Sequence, residues 1–128
     1  MPLKSKCVLL VDDNKNFMES AIKFLTTDKH FSVVGWAFSA SDALEKIDKF
    51  NPDLVLVDFS LPDVNGFNLT RTIKQKQNPP VVIVLSLNDN TGYSSEALNS
   101  GADAFLCKSD FGNKIIPLIE SLFLQKEN

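Results

Sequence analysis

Three aspartates stand at the ends of two apolar runs, where their carboxylates could act together. Asp12 and Asp13 follow the run 7–11, and Asp58 follows the run 54–57. If the two runs are neighbouring parallel strands, about 4.8 Å apart, all three carboxylates meet at one edge of the sheet. Two carboxylates ~5 Å apart repel by about 3 kcal/mol at an effective dielectric of ~20, so such a cluster needs compensation. A hard divalent cation such as Mg²⁺, with Mn²⁺ as a substitute, would provide it.

A simpler interpretation treats the same acids as local structure. Asp12 and Asp13 would cap the helix that follows, and Asp58 would begin a loop. We expect capping to occur at this position. Capping does not require three acids at adjacent strand ends, however, so the metal interpretation is favoured.

A hydroxyl and an ammonium group are predicted at the same edge. Ser86 follows the apolar run 81–85, and Lys108 follows the run 104–107. Each is weak evidence alone, because most Ser and Lys side chains at strand ends are simply solvated. Together with the acids they give a metal, a carboxylate nucleophile, a hydroxyl donor and a cation. That combination suits phosphoryl transfer, in which a carboxylate that attacks phosphorus becomes an aspartyl phosphate.

These side chains need a scaffold of adjacent strand ends, and two alternating apolar patterns predict one. Continuous apolar runs predict buried strands over 7–11, 54–57 and 81–85, and 31–37 and 104–107 are weaker strand candidates. Stripes of helical spacing predict helices between them. The β-α order, repeated five times, predicts an α/β fold: a doubly wound, five-stranded parallel sheet of flavodoxin-like order 2-1-3-4-5 with five flanking helices.

Three helix ends can be predicted from capping rules. Ser39 is placed to cap the second helix, and Gly101 to end the fourth. Pro117 is tolerated only near a helix start, so we expect the last helix to begin near Asn113.

Length and composition restrict the class of protein. The chain has 128 residues, of which 44% are hydrophobic, enough for one packed domain spanning residues 1–128. A net charge of −3 argues against a freestanding nucleic-acid binder. No apolar run approaches the ~20 residues that span a bilayer, and the first run ends in two aspartates rather than continuing as a secretory signal. We therefore expect a cytoplasmic domain without membrane or direct nucleic-acid contact.

In this order, the motifs resemble the receiver domain of two-component response regulators, in the chemotaxis-protein-like superfamily. The resemblance covers essentially the whole chain and rests on Asp12-Asp13, Asp58 followed by Leu61-Pro62 and Gly66, Ser86, and the segment 101–106 (GADAFL) before Lys108. It implies that Asp58 accepts a phosphoryl group from a sensor histidine kinase or phosphotransfer protein. It also implies Mg²⁺ bound by Asp13, Asp58 and the backbone carbonyl of Ser60, with Asp12 acting through water. Lys108 would contact the phosphoryl group.

The resemblance further implies a signalling switch rather than a turnover enzyme. Ser86 would move to bond the phosphoryl group, and Phe105 would turn inward. The surface of the fourth helix, fifth strand and fifth helix would then change. That surface would control a partner, a homodimer, or a C-terminal DNA-binding output domain absent from this chain. Ser109 stands where the family often has proline, so the sequence leaves the isomer of the Lys108–Ser109 bond open.

Two other functions could use the same acids. Magnesium-dependent phosphatases of the haloacid-dehalogenase type carry nucleophile and acid two residues apart on the first strand. Here the residue two after Asp12 is Asn14, and the chain has no room for a cap domain. A degenerate receiver would dock without phosphorylation, but it would lack one of the acids or the lysine. The single histidine, His30, falls in a predicted turn, which disfavours a Ser-His-Asp hydrolase.

Overall fold

The apolar runs form one parallel sheet in the computed structural model, which describes residues 5–87 and 91–127. The strands are β1 (Lys6–Val11), β2 (Phe31–Ala37), β3 (Leu54–Asp58), β4 (Val81–Ser86) and β5 (Ala104–Cys107). Their spatial order is β2-β1-β3-β4-β5, which confirms the predicted order. As a result, β1 and β3 are direct neighbours, with Val11 paired to Val57.

Helices cover both faces of the sheet. They are α1 (Lys15–Thr26), α2 (Ala40–Phe50), α3 (Gly66–Lys74), α4 (Thr91–Asn99) and α5 (Phe111–Glu127), with a 3₁₀ helix (Lys108–Asp110) before α5. One buried cluster lies between the sheet and α1 and α5, and the other between the sheet and α2, α3 and α4. Strands β3 and β4 are therefore buried along their whole length, which explains their continuous apolar sequences. None of the described helices is long and apolar enough to cross a bilayer.

Two of the predicted helix ends are confirmed. The side chain of Ser39 accepts a hydrogen bond from the backbone N–H of Asp42 at 3.2 Å, at the start of α2. Gly101 follows α4 with a φ of +98°, and its N–H donates to the carbonyl of Leu98 at 3.0 Å. A positive φ at this position is readily adopted by glycine, which is why glycine ends the helix.

The last helix begins earlier than predicted. We expected a start near Asn113, but α5 begins at Phe111, so that Pro117 lies inside the helix. The cause is packing: Phe111 is buried, and its ring lies edge-on to Phe17 and Phe24 of α1, with centroid distances of 5.4 and 6.0 Å. Pro117 is exposed, so water can bond the carbonyl that an interior proline leaves without an amide donor.

The cap of α1 also differs from the prediction. Asn14, rather than Asp12 or Asp13, accepts a hydrogen bond from the backbone N–H of Phe17 at 3.0 Å. Asp12 accepts instead from the N–H of Asn14, at 2.8 Å through Oδ1. The second oxygen of Asp12 and the carboxylate of Asp13 thus take no part in capping α1 and can contribute to a site beyond the strand ends.

Candidate functional site

The strand order brings the three aspartates together at the carboxyl end of the sheet. Asp12 follows β1 directly, and Asp58 is the last residue of β3. One carboxylate oxygen from each of Asp12, Asp13 and Asp58 can be chosen so that all lie within 4.8 Å of one another. Asp12 and Asp58 are buried, whereas Asp13 is exposed. The cluster is therefore closed on the protein side and open to water at Asp13.

Lys108 brings a positive charge to the cluster from the end of β5. Its Nζ lies 2.7 Å from Asp12 Oδ2 and 3.3 Å from Asp58 Oδ1, and its side chain is only 6% exposed. Such burial strengthens the attraction between charges. The 2.7 Å contact with Asp12 Oδ2 is an ion pair rather than a hydrogen bond. That oxygen is buried and receives no hydrogen bond from any residue that the structure describes.

The unsatisfied oxygen and the balance of charge both fit a bound cation. With all groups ionised, three carboxylates face one ammonium, which leaves two negative charges unbalanced. The buried oxygen of Asp12 has the ammonium of Lys108 2.7 Å away but no hydrogen bond from the described part of the chain, which leaves it incompletely satisfied. A divalent ion with oxygen ligands would relieve both effects, and the exposed side of Asp13 leaves space for the waters that Mg²⁺ retains.

The environment of Asp58 controls its protonation. Burial, followed by repulsion from the carboxylate of Asp12, raises the pKa of Asp58 to about 6. Lys108 and a hydrogen bond from the backbone N–H of Ser60 act in the opposite direction. At neutral pH the carboxylate is therefore mostly ionised, as a nucleophile must be, and a bound cation would lower the pKa of Asp58 further.

Ser86 lies between the strands that carry Asp58 and Lys108. It is the buried last residue of β4, one position beyond Leu85, which pairs with Asp58. On its other side Ser86 pairs with Cys107, the residue before Lys108. The strand register thus brings the predicted hydroxyl to the same edge as the acids and the lysine.

The remaining predicted residues surround this edge. Ser60 is exposed, two residues beyond Asp58. Phe105 is partly buried against the cluster beneath α2, α3 and α4. The peptide bond between Lys108 and Ser109 is trans, as is every bond in the described part of the chain.

His30 lies at the opposite edge of the sheet. Its carbonyl accepts from the N–H of Lys6 at the start of β1, and its Nδ1 is 2.8 Å from Asp28 Oδ1. Strand starts and strand ends lie at opposite edges of a parallel sheet. The histidine therefore takes no part in the acidic site, in agreement with the sequence interpretation.

Two contacts near the site were not predicted. The Nζ of Lys108 lies 4.5 Å from the centroid of the Phe17 ring. Asp63, in the loop after β3, accepts hydrogen bonds from the backbone N–H groups of Ala40 and Ser41 at 2.9 and 3.0 Å, and these bonds lower the pKa of Asp63. No spacing rule indicates which ring of a helix a side chain at a strand end will meet.

Comparison with known proteins identifies the family. The family model for the response regulator receiver domain matches residues 8–120. The chain belongs to this family. It is 31% identical over 113 residues to the transcriptional regulatory protein DegU of Brevibacillus brevis, and 34% identical over 125 residues to the response regulator protein VraR of Staphylococcus saprophyticus. These alignments cover 88% and 96% of this chain but 48% and 57% of the two relatives, so the chain spans about half of their length.

Two further similarities cover nearly the whole of the proteins compared. The chemotaxis protein CheY of Listeria monocytogenes is 30% identical over 112 residues, which is 88% of this chain and 94% of that protein. The signal receiver domain of the response regulator NarL from Mycobacterium tuberculosis superposes with a TM-score of 0.86 at 27% identity, covering 92% of this chain and 95% of that domain. This receiver domain is thus a module of two-component signal transduction.

Gly66 sets how closely α3 approaches the strand end that carries Asp58. A Cβ atom at position 66 would lie 2.6 Å from the carbonyl oxygen of Asp58 and 2.9 Å from Cα of Phe59. We expect Gly66→Ala to lower the free energy of unfolding by ~1–3 kcal/mol, because the added Cβ would force the backbone of α3 or of the strand end to move. The matched control is Gly112→Ala, where a Cβ meets nothing within 4 Å and should stabilise α5 by up to ~1 kcal/mol. Urea unfolding measures both, and equal stability of the two variants would refute the close-approach argument.

The raised pKa of Asp58 predicts a specific pH dependence of stability in the metal-free protein. Because folded Asp58 binds its proton more tightly than the unfolded chain, its contribution to stability is full below pH ~4 and is lost as pH rises through about 6. Asp58→Asn lacks this loss. Its stability relative to the parent should therefore increase by ~1 kcal/mol between about pH 5 and about pH 7.5, measured by urea unfolding with a chelator. Asp48→Asn, at an exposed position of α2, controls for the loss of one carboxylate. A difference that shrinks over this range would contradict the burial argument.

Proposed function

We propose that residues 1–128 form one receiver domain in which Asp58 accepts a phosphoryl group from the phosphohistidine of a sensor kinase or phosphotransfer protein. The observation that carries this proposal is the contact of Lys108 with Asp58 in a cluster of excess negative charge, in which Asp12 and Asp58 are buried. A carboxylate oxygen of Asp58 would attack phosphorus and form a new P–O bond. The P–N bond to histidine would break, with its electron pair left on the imidazole.

The other residues of the cluster would hold charge in place during this transfer. Asp13, Asp58 and the backbone carbonyl of Ser60 would bind Mg²⁺ or Mn²⁺, with Asp12 acting through water. When bound, the ion would neutralise the negative charges of the carboxylate and the phosphoryl group, which otherwise repel each other. The ammonium group of Lys108 would interact less with Asp12 and more with the phosphoryl group. Its position beside Asp58 permits this change. This is chemistry of self-phosphorylation in a signalling module rather than of a turnover enzyme.

The phosphoryl group would also alter the surface formed by α4, β5 and α5. It adds about two negative charges near pH 7 and oxygens that can accept a hydrogen bond from Ser86. Movement of Ser86 would leave space for the partly buried ring of Phe105. Leu98 of α4 is 60% exposed and would belong to the altered surface. The output would be a homodimer, a separate partner or a DNA-binding domain, and the last is supported by the name of the longer relative, the transcriptional regulatory protein DegU.

Asp58→Asn should abolish phosphorylation. The amide has nearly the same shape but is a very poor nucleophile. Acetyl phosphate with Mg²⁺ should add one phosphoryl group to the parent chain and none to this variant, as measured by intact mass. Asp48→Asn retains the site and should be labelled like the parent.

Three other outcomes would each exclude a part of the proposal. Stoichiometric phosphate on Asp58→Asn would exclude Asp58 as the acceptor. Equal labelling rates in Mg²⁺ and in EDTA would exclude the metal. A parent chain that takes no label from acetyl phosphate or from a phosphorylated histidine donor would be a docking module only.

Beryllofluoride with Mg²⁺, a mimic of the phosphoryl group, should change amide chemical shifts in residues 95–107 and in α5, besides those around Asp13 and Asp58. The physical reason is the coupled movement of Ser86 and Phe105. Asp58→Asn under the same conditions should show no change and is the control. Shift changes confined to the loops around Asp13 and Asp58 would remove the switch and retain only the phosphorylation site.

A further inference from the structure

The ammonium group of Lys108 has an aromatic neighbour as well as acidic ones. Its Nζ lies 4.5 Å from the centroid of the Phe17 ring, which is within cation–π distance. The same atom contacts Asp12 and Asp58. A long side chain that extends from the end of β5 is thus held at its tip by residues of α1 and of two strand ends.

The ring of Phe17 is itself fixed by packing. It meets the ring of Phe111 in a T-shaped contact, with a centroid distance of 5.4 Å and an interplanar angle of 77°. Phe111 is buried and begins α5, three residues after Lys108. Phe24, on the same helix as Phe17, contacts Phe111 at 6.0 Å. The aromatic face near the ammonium is therefore preorganised by α1 and α5.

The aromatic and acidic contacts differ in how they respond to a change of charge. A cation at the carboxylates competes with Lys108 for Asp12 and Asp58 and so weakens their attraction for the ammonium. The quadrupole of a benzene ring is not neutralised in this way. Phe17 would therefore continue to attract the ammonium when the acids no longer do so fully.

We propose that Phe17 is a positioning residue that holds Lys108 in reach of the phosphoryl group during transfer to Asp58. This inference rests on the proposed function, since it assigns a role to the lysine in that reaction. Without the ring, the flexible side chain of Lys108 would leave the phosphoryl position for part of the time. The phosphorylation rate would fall although Asp58 and the carboxylates are unchanged.

Three variants of the full chain separate positioning from packing. Phe17→Leu removes the ring and keeps an apolar side chain, Phe17→Tyr keeps the ring, and Phe24→Leu removes the other α1 ring that packs on Phe111. Initial rates of labelling should be measured over a range of acetyl phosphate concentrations with saturating Mg²⁺. We expect Phe17→Leu to be about three- to tenfold slower, the range that corresponds to a partly desolvated cation–π contact. Phe17→Tyr and Phe24→Leu should remain within about twofold of the parent by the same measure.

Fluorinated phenylalanines at position 17 provide a readout that packing alone would not change. Successive ring fluorines weaken the negative face while the ring keeps nearly the same shape, so the rate should decrease with each fluorine. If Phe17→Leu does not fold, this series still shows whether Phe17 positions Lys108 or only contributes to packing. Unchanged rates across the series, or equal losses in Phe17→Leu and Phe24→Leu, would overturn the positioning role while leaving the proposed function intact. Failure of the parent chain to be labelled would overturn both.

Discussion

Repulsion between the carboxylates of Asp12 and Asp58 is the constraint on which the rest of the site depends. The sheet creates it, because the pairing of β1 with β3 places their ends side by side in a buried position. Lys108 offsets only part of the negative charge, and one oxygen of Asp12 still receives no hydrogen bond from the described residues. Burial, followed by repulsion from Asp12, raises the pKa of Asp58, so part of that rise expresses the same conflict. A divalent cation would stabilise a site in this condition, so metal binding and phosphoryl transfer would share one physical origin.

The two faces of the sheet support different parts of this site. On the face covered by α1 and α5, the ring of Phe17 lies beside Lys108 and packs against the ring of Phe111. On the opposite face, Phe105 packs into the cluster beneath α2, α3 and α4. Neighbouring residues of a strand point to opposite faces, and Leu106 accordingly joins the first cluster while Phe105 joins the second. A displacement of β5 would therefore affect the packing on both faces of the sheet.

The sheet and the positions of the acids could be predicted because their sequence signals are local and strong. Strands buried on both faces have continuous apolar sequences, and their alternation with helical stripes favours a doubly wound parallel sheet, for which 2-1-3-4-5 is a common strand order. The predicted start of α5 was wrong because a rule about Pro117 was outweighed by the burial of Phe111, a tertiary contact. The prediction assigned the cap of α1 to Asp12 and Asp13, whereas the structure assigns it to Asn14. Asp and Asn are both good capping residues, so the local sequence does not distinguish between these neighbours. The contact of Phe17 with Lys108 joins residues far apart in sequence, and only the packing of α1 against α5 reveals it.

The loop that follows Asp58 is held more firmly than the helix on the other side of the site. Asp63 bonds two backbone N–H groups at the start of α2, where the helix dipole also favours a carboxylate, and Gly66 donates to the carbonyl of Phe59 at 2.7 Å. By contrast, α4 buries one apolar side chain among those that the structure describes, that of Ala97. Helix α3 buries three larger ones, Phe67, Leu69 and Ile73. Among the described side chains α4 is therefore less well anchored than α3, so a change of charge at Asp58 would meet less resistance toward α4 than toward α3. This asymmetry of anchoring gives a physical reason why a signal from the acidic site would leave through α4, β5 and α5.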